Sequence, residues 1–206
     1  MYKLLLTLLL LLTQSVFSQV CDTILKNDVY NSYISYGLKM SFQVNYTLYK
    51  GGGDCDRKKF RFKKGTKIDI SANKQYTKSG YDRGHLANAK DFAYDCEKDE
   101  KTFRYYNCLP QTPNLNRGIW KVWETKIRKE SQTDSLLIMC GGIWSDSLVV
   151  NGMRIPNYCW KVVFSLTDKN IKHVLLFTNV MKNSMLRKIT ICELEEKLKY
   201  KLSYKK

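Results

Sequence analysis

Beyond its N-terminal run the chain has no segment apolar enough to span a membrane, which takes about 20 consecutive apolar residues. It has no internal repeat and no low-complexity linker, so a single ordinary domain is expected. It has only two histidines, His85 and His173, and no Cys-x-x-Cys pair. A zinc site of cysteine and histidine ligands is therefore not expected. Acidic residues are scarce: 19 Asp and Glu face 35 Lys and Arg, a formal charge of +16. Such an excess points to a polyanionic partner, whether nucleic acid, an acidic glycan or an anionic membrane. Charge alone does not choose among them.

The N-terminus has the opposite character. Met1-Tyr2-Lys3 supplies one positive charge, Leu4 to Leu12 is apolar except for Thr7, and Ser15 and Ser18 follow. A charged start, roughly 7–15 apolar residues and a small residue at the cut describe a secretory signal peptide. Residues 1–18 are read as that leader and 19–206 as the mature domain, secreted or periplasmic after cleavage near Ser18. Lipid anchoring at Cys21 is the lesser alternative, because Gln19 and Val20 poorly suit the position before a lipidated cysteine. All seven cysteines lie beyond the leader, at 21, 55, 96, 108, 140, 159 and 192. In an oxidising compartment most should pair, with an odd one left over. The connectivity cannot be read from the spacing.

Residues 33–49 alternate loosely and read as one or two strands. Gly51-Gly52-Gly53-Asp54 reads as a turn, and residues 57–67 as a basic stretch with Phe60 and Phe62 interleaved. Residues 77–90 read as a loop entering a functional site. Asn116 to Ile127 has helical spacing, and strand-like runs follow at 135–140, 160–166 and 173–178. Thr190 with Glu193 three residues on marks a capped C-terminal helix. Strands with a few helices point to an α+β fold.

Two segments carry the chemistry. The first is Asp82-Arg83-Gly84-His85. Hydrolysis of a phosphodiester at neutral pH needs a base for water, which neutral imidazole suits, and positive charge on the phosphate, which Arg83 would supply. Asp82 would orient a neighbour or bind a hydrated metal. Gly84 would permit a tight turn or a close approach to DNA. The second segment runs from Asn107 to Glu124. If its helix begins near Asn116, then Asn116, Trp120 and Glu124 fall on one stripe at i, i+4 and i+8. Trp120 would anchor the stripe while the amide of Asn116 and the carboxylate of Glu124 offer oxygens to a hard cation such as Mg²⁺. Either residue alone would default to a helix cap or a solvated side chain.

Together the two segments resemble the DNA/RNA non-specific endonuclease family, whose pattern is D-R-G-H followed by N-x-x-P-Q-x-P-x-L-N-x-x-x-W-x-x-x-E. Asn107, Pro110, Gln111, Pro113, Leu115, Asn116, Trp120 and Glu124 fill every fixed place of the second block. Ile155-Pro156, Trp160-Lys161-Val162-Val163 and Thr190-Ile191-x-Glu193-Leu194-Glu195 extend the likeness to roughly residues 33–200. The resemblance implies a ββα-metal (His-Me finger) fold with a central antiparallel sheet flanked by helices. It implies His85 as general base and Asn116 as the single direct ligand of Mg²⁺, Mn²⁺ or another divalent cation. Glu124 would act through metal-bound water, with Asp82 and Arg83 in support. It also implies an upstream arginine on the scissile phosphate, matched by Arg57, with Arg61 as the alternative. The expected activity is endonucleolytic hydrolysis of DNA and RNA, with phosphate contacts rather than base readout and 5′-phosphate products. The rival is a surface protein that binds nucleic acid or acidic glycan without cutting it. That rival gives no reason for His85, Asn116 and Glu124 to occur together. His173, within a strand-like run, is expected to be structural.

Overall fold

In the computed structural model, residues 21–145 and 148–204 are described, so the leader read at 1–18 lies outside them. One large sheet organises the chain, with central strands buried on both faces and half-exposed edge strands. β1 (Thr23–Lys26), β2 (Asn31–Ser35) and β3 (Met40–Leu48) join β6 (Leu136–Ile143), β9 (Tyr158–Ser165), β10 (Asn170–Thr178) and β11 (Leu186–Lys188) in one sheet. Its order is β1-β2-β3-β6-β9-β10-β11, and every pairing is antiparallel. β6 and β9 are buried along nearly their whole length, as strands covered on both faces must be.

Alternation sorts these side chains into two cores. Ile138, Cys140, Val163, Leu175 and Phe177 pack with Leu86, Leu109, Trp120 and Trp123 on one face. Met139, Trp160, Val162, Val174 and Leu176 pack with Leu194, Leu198 and Leu202 on the other. That second layer is α4 (Ile191–Leu198), whose start follows the sequence expectation. Thr190 Oγ1 accepts from the Glu193 amide at 3.2 Å, and the Glu193 carboxylate accepts from the Thr190 amide at 2.7 Å.

The first face carries a separate antiparallel pair, β4 (Asp82–His85) with β5 (Cys108–Gln111), and then α3 (Lys121–Glu130). The α+β reading and the antiparallel sheet agree with expectation. Two local readings do not. The segment 77–90, expected as loop, contains β4. The helix expected from Asn116 opens instead as a π-helical turn, Leu115–Trp120, in which Gly118 (φ −100°, ψ −118°) leaves helical space before α3 begins. Glycine permits that departure. The other elements include α1 (Asn73–Tyr76), α2 (Cys96–Thr102), and the small hairpin of β7 (Val149–Val150) and β8 (Met153–Arg154). Among the described residues no helix is long and apolar enough to cross a membrane.

The expectation that most cysteines pair is corrected. Cys55 and Cys96 form the one disulfide among the described residues, and Cys21, Cys108, Cys140, Cys159 and Cys192 are free. Cys108, Cys140 and Cys159 sit on β5, β6 and β9 as fully buried thiols. They pack as small apolar side chains, and burial pushes their pKa values up to about 12, 11 and 12.

Candidate active site

β4 and β5 align Asp82 with Gln111, Arg83 with Pro110, Gly84 with Leu109 and His85 with Cys108. Gly84 does not form the tight turn that the sequence suggested. It lies in regular strand, and a Cβ there would come within 2.0 Å of the fully buried Gln111 side chain. The exit of β4 is fixed by Asn107. Its Oδ1 accepts from the Ala87 amide at 2.9 Å, and its Nδ2 donates to the carbonyls of Ala87 and Thr102 at 2.9 and 2.8 Å. Asn179 does the same for the end of β5. It donates to the Pro110 and Pro156 carbonyls and accepts from the Thr112 amide, all at 2.8–2.9 Å. Sequence reasoning passed over Asn179, because nothing near it in the chain marks it.

His85 projects into an aromatic cage. Its ring lies 4.8 Å from Phe62 and 4.8 Å from Phe103, centroid to centroid. The residue is half-buried, but Nε2 is enclosed and has no hydrogen-bond partner. Enclosure, with the positive charge of Arg57 behind it, pushes the imidazole pKa from 6.5 down to about 3. The ring is therefore neutral at physiological pH. The wall carrying Phe62 belongs to a stretch without regular structure that is fastened to α2. The Cys55–Cys96 disulfide, a backbone bond from the Lys63 amide to Phe103 and the pair of Lys63 with Glu100 at 2.7 Å hold it there.

The two candidate arginines in that stretch differ. Arg57 Nε lies 3.9 Å from Asp99, a carboxylate with no exposed surface and no hydrogen bond. Burial pushes the Asp99 pKa up to about 6 against the opposing charges of Arg57 and Lys90. Arg61 turns away, donating to the carbonyls of Lys58 and Phe60 in its own loop at 2.6 and 2.8 Å. Arg83 lies over the rings of Tyr76 and Tyr105 and donates to Tyr105 Oη at 3.2 Å and Asn73 Oδ1 at 2.6 Å.

Asp82 gathers the second half of the site. Arg117 donates to both of its oxygens, at 2.8 and 2.7 Å, and Asn116 Nδ2 donates to Oδ2 at 3.0 Å. Burial opposes ionisation of Asp82, but the hydrogen bonds from Arg117 and Asn116 outweigh it and hold the pKa below its ordinary value. With its nitrogen committed, the Asn116 amide keeps its carbonyl oxygen for another partner. An amide oxygen whose remaining coordination is filled by water suits a hard cation such as Mg²⁺. Among the described residues no group of three or more His, Cys, Asp or Glu side chains could hold a metal.

Glu124 lies on α3. It is buried among Asn88, Asp91, Arg128 and Lys161, and burial pushes its pKa up to about 7 against Lys161. Arg128 donates to Asp91 at 2.8 Å and to Asn88 at 2.9 Å, and Tyr46 donates to Asp91 at 3.0 Å. Lys161 is fully buried. Its Nζ lies 4.0 Å from the Trp120 ring and 3.4 Å from the Leu86 carbonyl, one residue past His85. The structure thus brings Asp82 to Asn116 and Arg57 to His85. It sets Arg83 against Asn73 of α1 and buries Glu124 beside Asn88, Asp91 and Lys161.

A histidine on a two-stranded segment, followed by a helix whose first turn presents an oriented asparagine amide, is the arrangement of ββα-metal nucleases. The chain belongs to the DNA/RNA non-specific endonuclease family, whose sequence profile matches residues 11–204. A nuclease of Nostoc sp. (strain PCC 7120) is 38% identical over 93 residues, covering 44% of this chain and 34% of that protein. Human mitochondrial endonuclease G is 31% identical over 93 residues, covering 44% of this chain and 31% of that protein. These matches thus span about a third of each relative. The fold is similar to a chain in the crystal structure of an EndoG/EndoGI complex, with a TM-score of 0.74 at 21% identity over 88% of this chain and 85% of that one.

Proposed function

We propose that the chain is a secreted or periplasmic endonuclease that hydrolyses phosphodiester bonds of DNA and RNA with a divalent cation, Mg²⁺ or Mn²⁺, on Asn116. The observation that carries this reading is the state of His85: a neutral ring, oriented by two phenylalanines, with no hydrogen bond spent on the protein. His85 takes the proton of an attacking water at Nδ1, the ring nitrogen that is not enclosed. Arg57, poised between Asp99 and His85, holds non-bridging phosphate oxygens. Asp82 keeps the Asn116 carbonyl facing the ion site. The ion would stabilise charge on the phosphorane-like transition state and the leaving 3′-oxygen, giving 5′-phosphate ends. Glu124, the last fixed place of the family pattern, would act through metal-bound water rather than by direct contact.

A plasmid-nicking assay on the oxidised mature protein tests the reading. Nicks and linear DNA should form with Mg²⁺ and stop with chelator, and an RNA substrate should be degraded under the same conditions. A chain that binds plasmid but never cuts it, with any divalent ion supplied, would return the protein to the class of non-catalytic binders.

A further inference from the structure

The charged surface of α3 is one-sided. Lys121, Val122, Lys126 and Lys129 are all exposed on its outer face, and with Arg117 they line a shallow groove of about 560 Å³. None of these three lysines has a carboxylate partner among the described residues, and Lys126 lies 4.5 Å over the ring of Trp123. The two acids of α3 do not offset them: Glu124 is buried and Glu130 is paired with His173. A merely solvated helix face tends to mix its signs, as α4 does by exposing Glu193 and Glu196 beside Lys197. Here the cations are segregated on the helix that follows the π-turn carrying Asn116.

Spacing supports a specific occupant. Lys121 and Lys129 are eight residues apart, about 12 Å of helix at about 1.5 Å per residue. That is the axial rise of three to four nucleotides of one strand at about 3.4 Å each. We propose that the outer face of α3 is a phosphate track that binds the backbone of a nucleic-acid strand outside the scissile bond. The proposal rests on the nuclease reading and adds to it where the strand runs. Lysine, a hydrated point charge on a flexible stem, suits contacts that follow a backbone without reading bases.

The test compares two triple variants of the oxidised full chain in chelator, so that turnover does not enter. One is Lys121→Gln/Lys126→Gln/Lys129→Gln. The other removes the same charge elsewhere, as Lys26→Gln/Lys169→Gln/Lys197→Gln, all exposed positions. Affinity for a 20-base-pair duplex is measured across salt concentration. Each lost phosphate contact should lower the slope of log K against log salt by about 0.9, so the α3 variant should lose up to about 3 in slope and bind about tenfold more weakly. The control should lose less than about 1 in slope. Equal changes in the two variants, or an α3 variant with the parent's slope, would overturn the track and leave the nuclease reading standing. A parent chain that shows the expected slopes but fails to nick plasmid would overturn the nuclease reading while leaving the track.

Discussion

His85 and His173 are the same residue in two settings, and the contrast lies in what each ring has left to give. His173, on β10, places Nε2 between both oxygens of Glu130 at 2.9 and 3.0 Å and packs edge-on against Trp123. Its orientation comes from a partner that also occupies it. His85, on β4, is oriented by apolar walls, Phe62 and Phe103, which demand no proton and accept no hydrogen bond. A ring fixed by packing keeps its polar atoms for water or substrate, whereas a ring fixed by a carboxylate has one nitrogen committed. The lesson is that aromatic caging can preorganise a base without tying up its nitrogen.

The largest test of that contrast is deletion of each ring. His85→Ala should lower plasmid cleavage by about 10²–10⁴-fold, the usual contribution of a positioned base. Duplex binding in chelator should be retained, with partial recovery at higher pH or with added imidazole. His173→Ala should leave cleavage within about threefold of the parent, since nothing in its setting is spare. Equal losses for the two would erase the distinction.

The cage itself should be sensitive to the disulfide that fastens its Phe62 wall. Cys55→Ser/Cys96→Ser should lower stability in urea by about 2–4 kcal/mol for a closed loop of this size. Thiol titration of unfolded, unreduced protein should find five reactive thiols. One free thiol would mean that the buried cysteines pair after all.

The Asn116 half of the site sharpens the comparison from the polar side, because its orientation depends on hydrogen bonds. Asp82→Ala should cost about 10–100-fold in cleavage at limiting Mg²⁺, as loss of a residue that orients a metal ligand does. Asn116→Ala should cost at least as much, and Glu124→Gln less. An Asp82→Ala variant with the parent's Mg²⁺ dependence would mean the amide needs no support.

The smallest expected effect is on acid stability. The folded pKa of His85 is lowered, so between pH 6.5 and about 3 the unfolded chain binds a proton that the native ring refuses. That contribution to stability is present above pH 6.5 and is lost as pH falls through this window. Urea unfolding at pH 7.5 and 4.5 should show a loss on the order of 1 kcal/mol greater in the parent than in His85→Gln. An identical loss in both would place no cost on charging this ring.

Much of the site could be read from the chain because its parts are local. Asp82-Arg83-Gly84-His85 occupies four successive places of one strand, and Asn107 to Asn116 lies within ten residues, so their order and spacing survive folding unchanged. The capping pair of Thr190 and Glu193 is local in the same way, closing through hydrogen bonds three residues apart. Local signals misled where one residue could change the path. Gly118 leaves helical geometry, so the helix read from Asn116 opens as a π-helical turn and α3 begins only at Lys121.

By itself the sequence determined the basic charge, the α+β pattern and the motifs that place a histidine segment before an asparagine helix, since each is a matter of composition or short spacing. Tertiary structure alone decided which side chains complete the site. Phe103 reaches His85 across the chain, Asp99 meets Arg57 from α2, and Lys161 lies fully buried between Trp120 and the Leu86 carbonyl. It also decided that three cysteines would fill the core rather than pair. Lys161 and those cysteines lie on elements buried on both sides, where no alternation tells which neighbour a side chain will meet. Contacts of that kind are set when layers stack, and stacking joins residues whose separation in sequence carries no record of their distance in space.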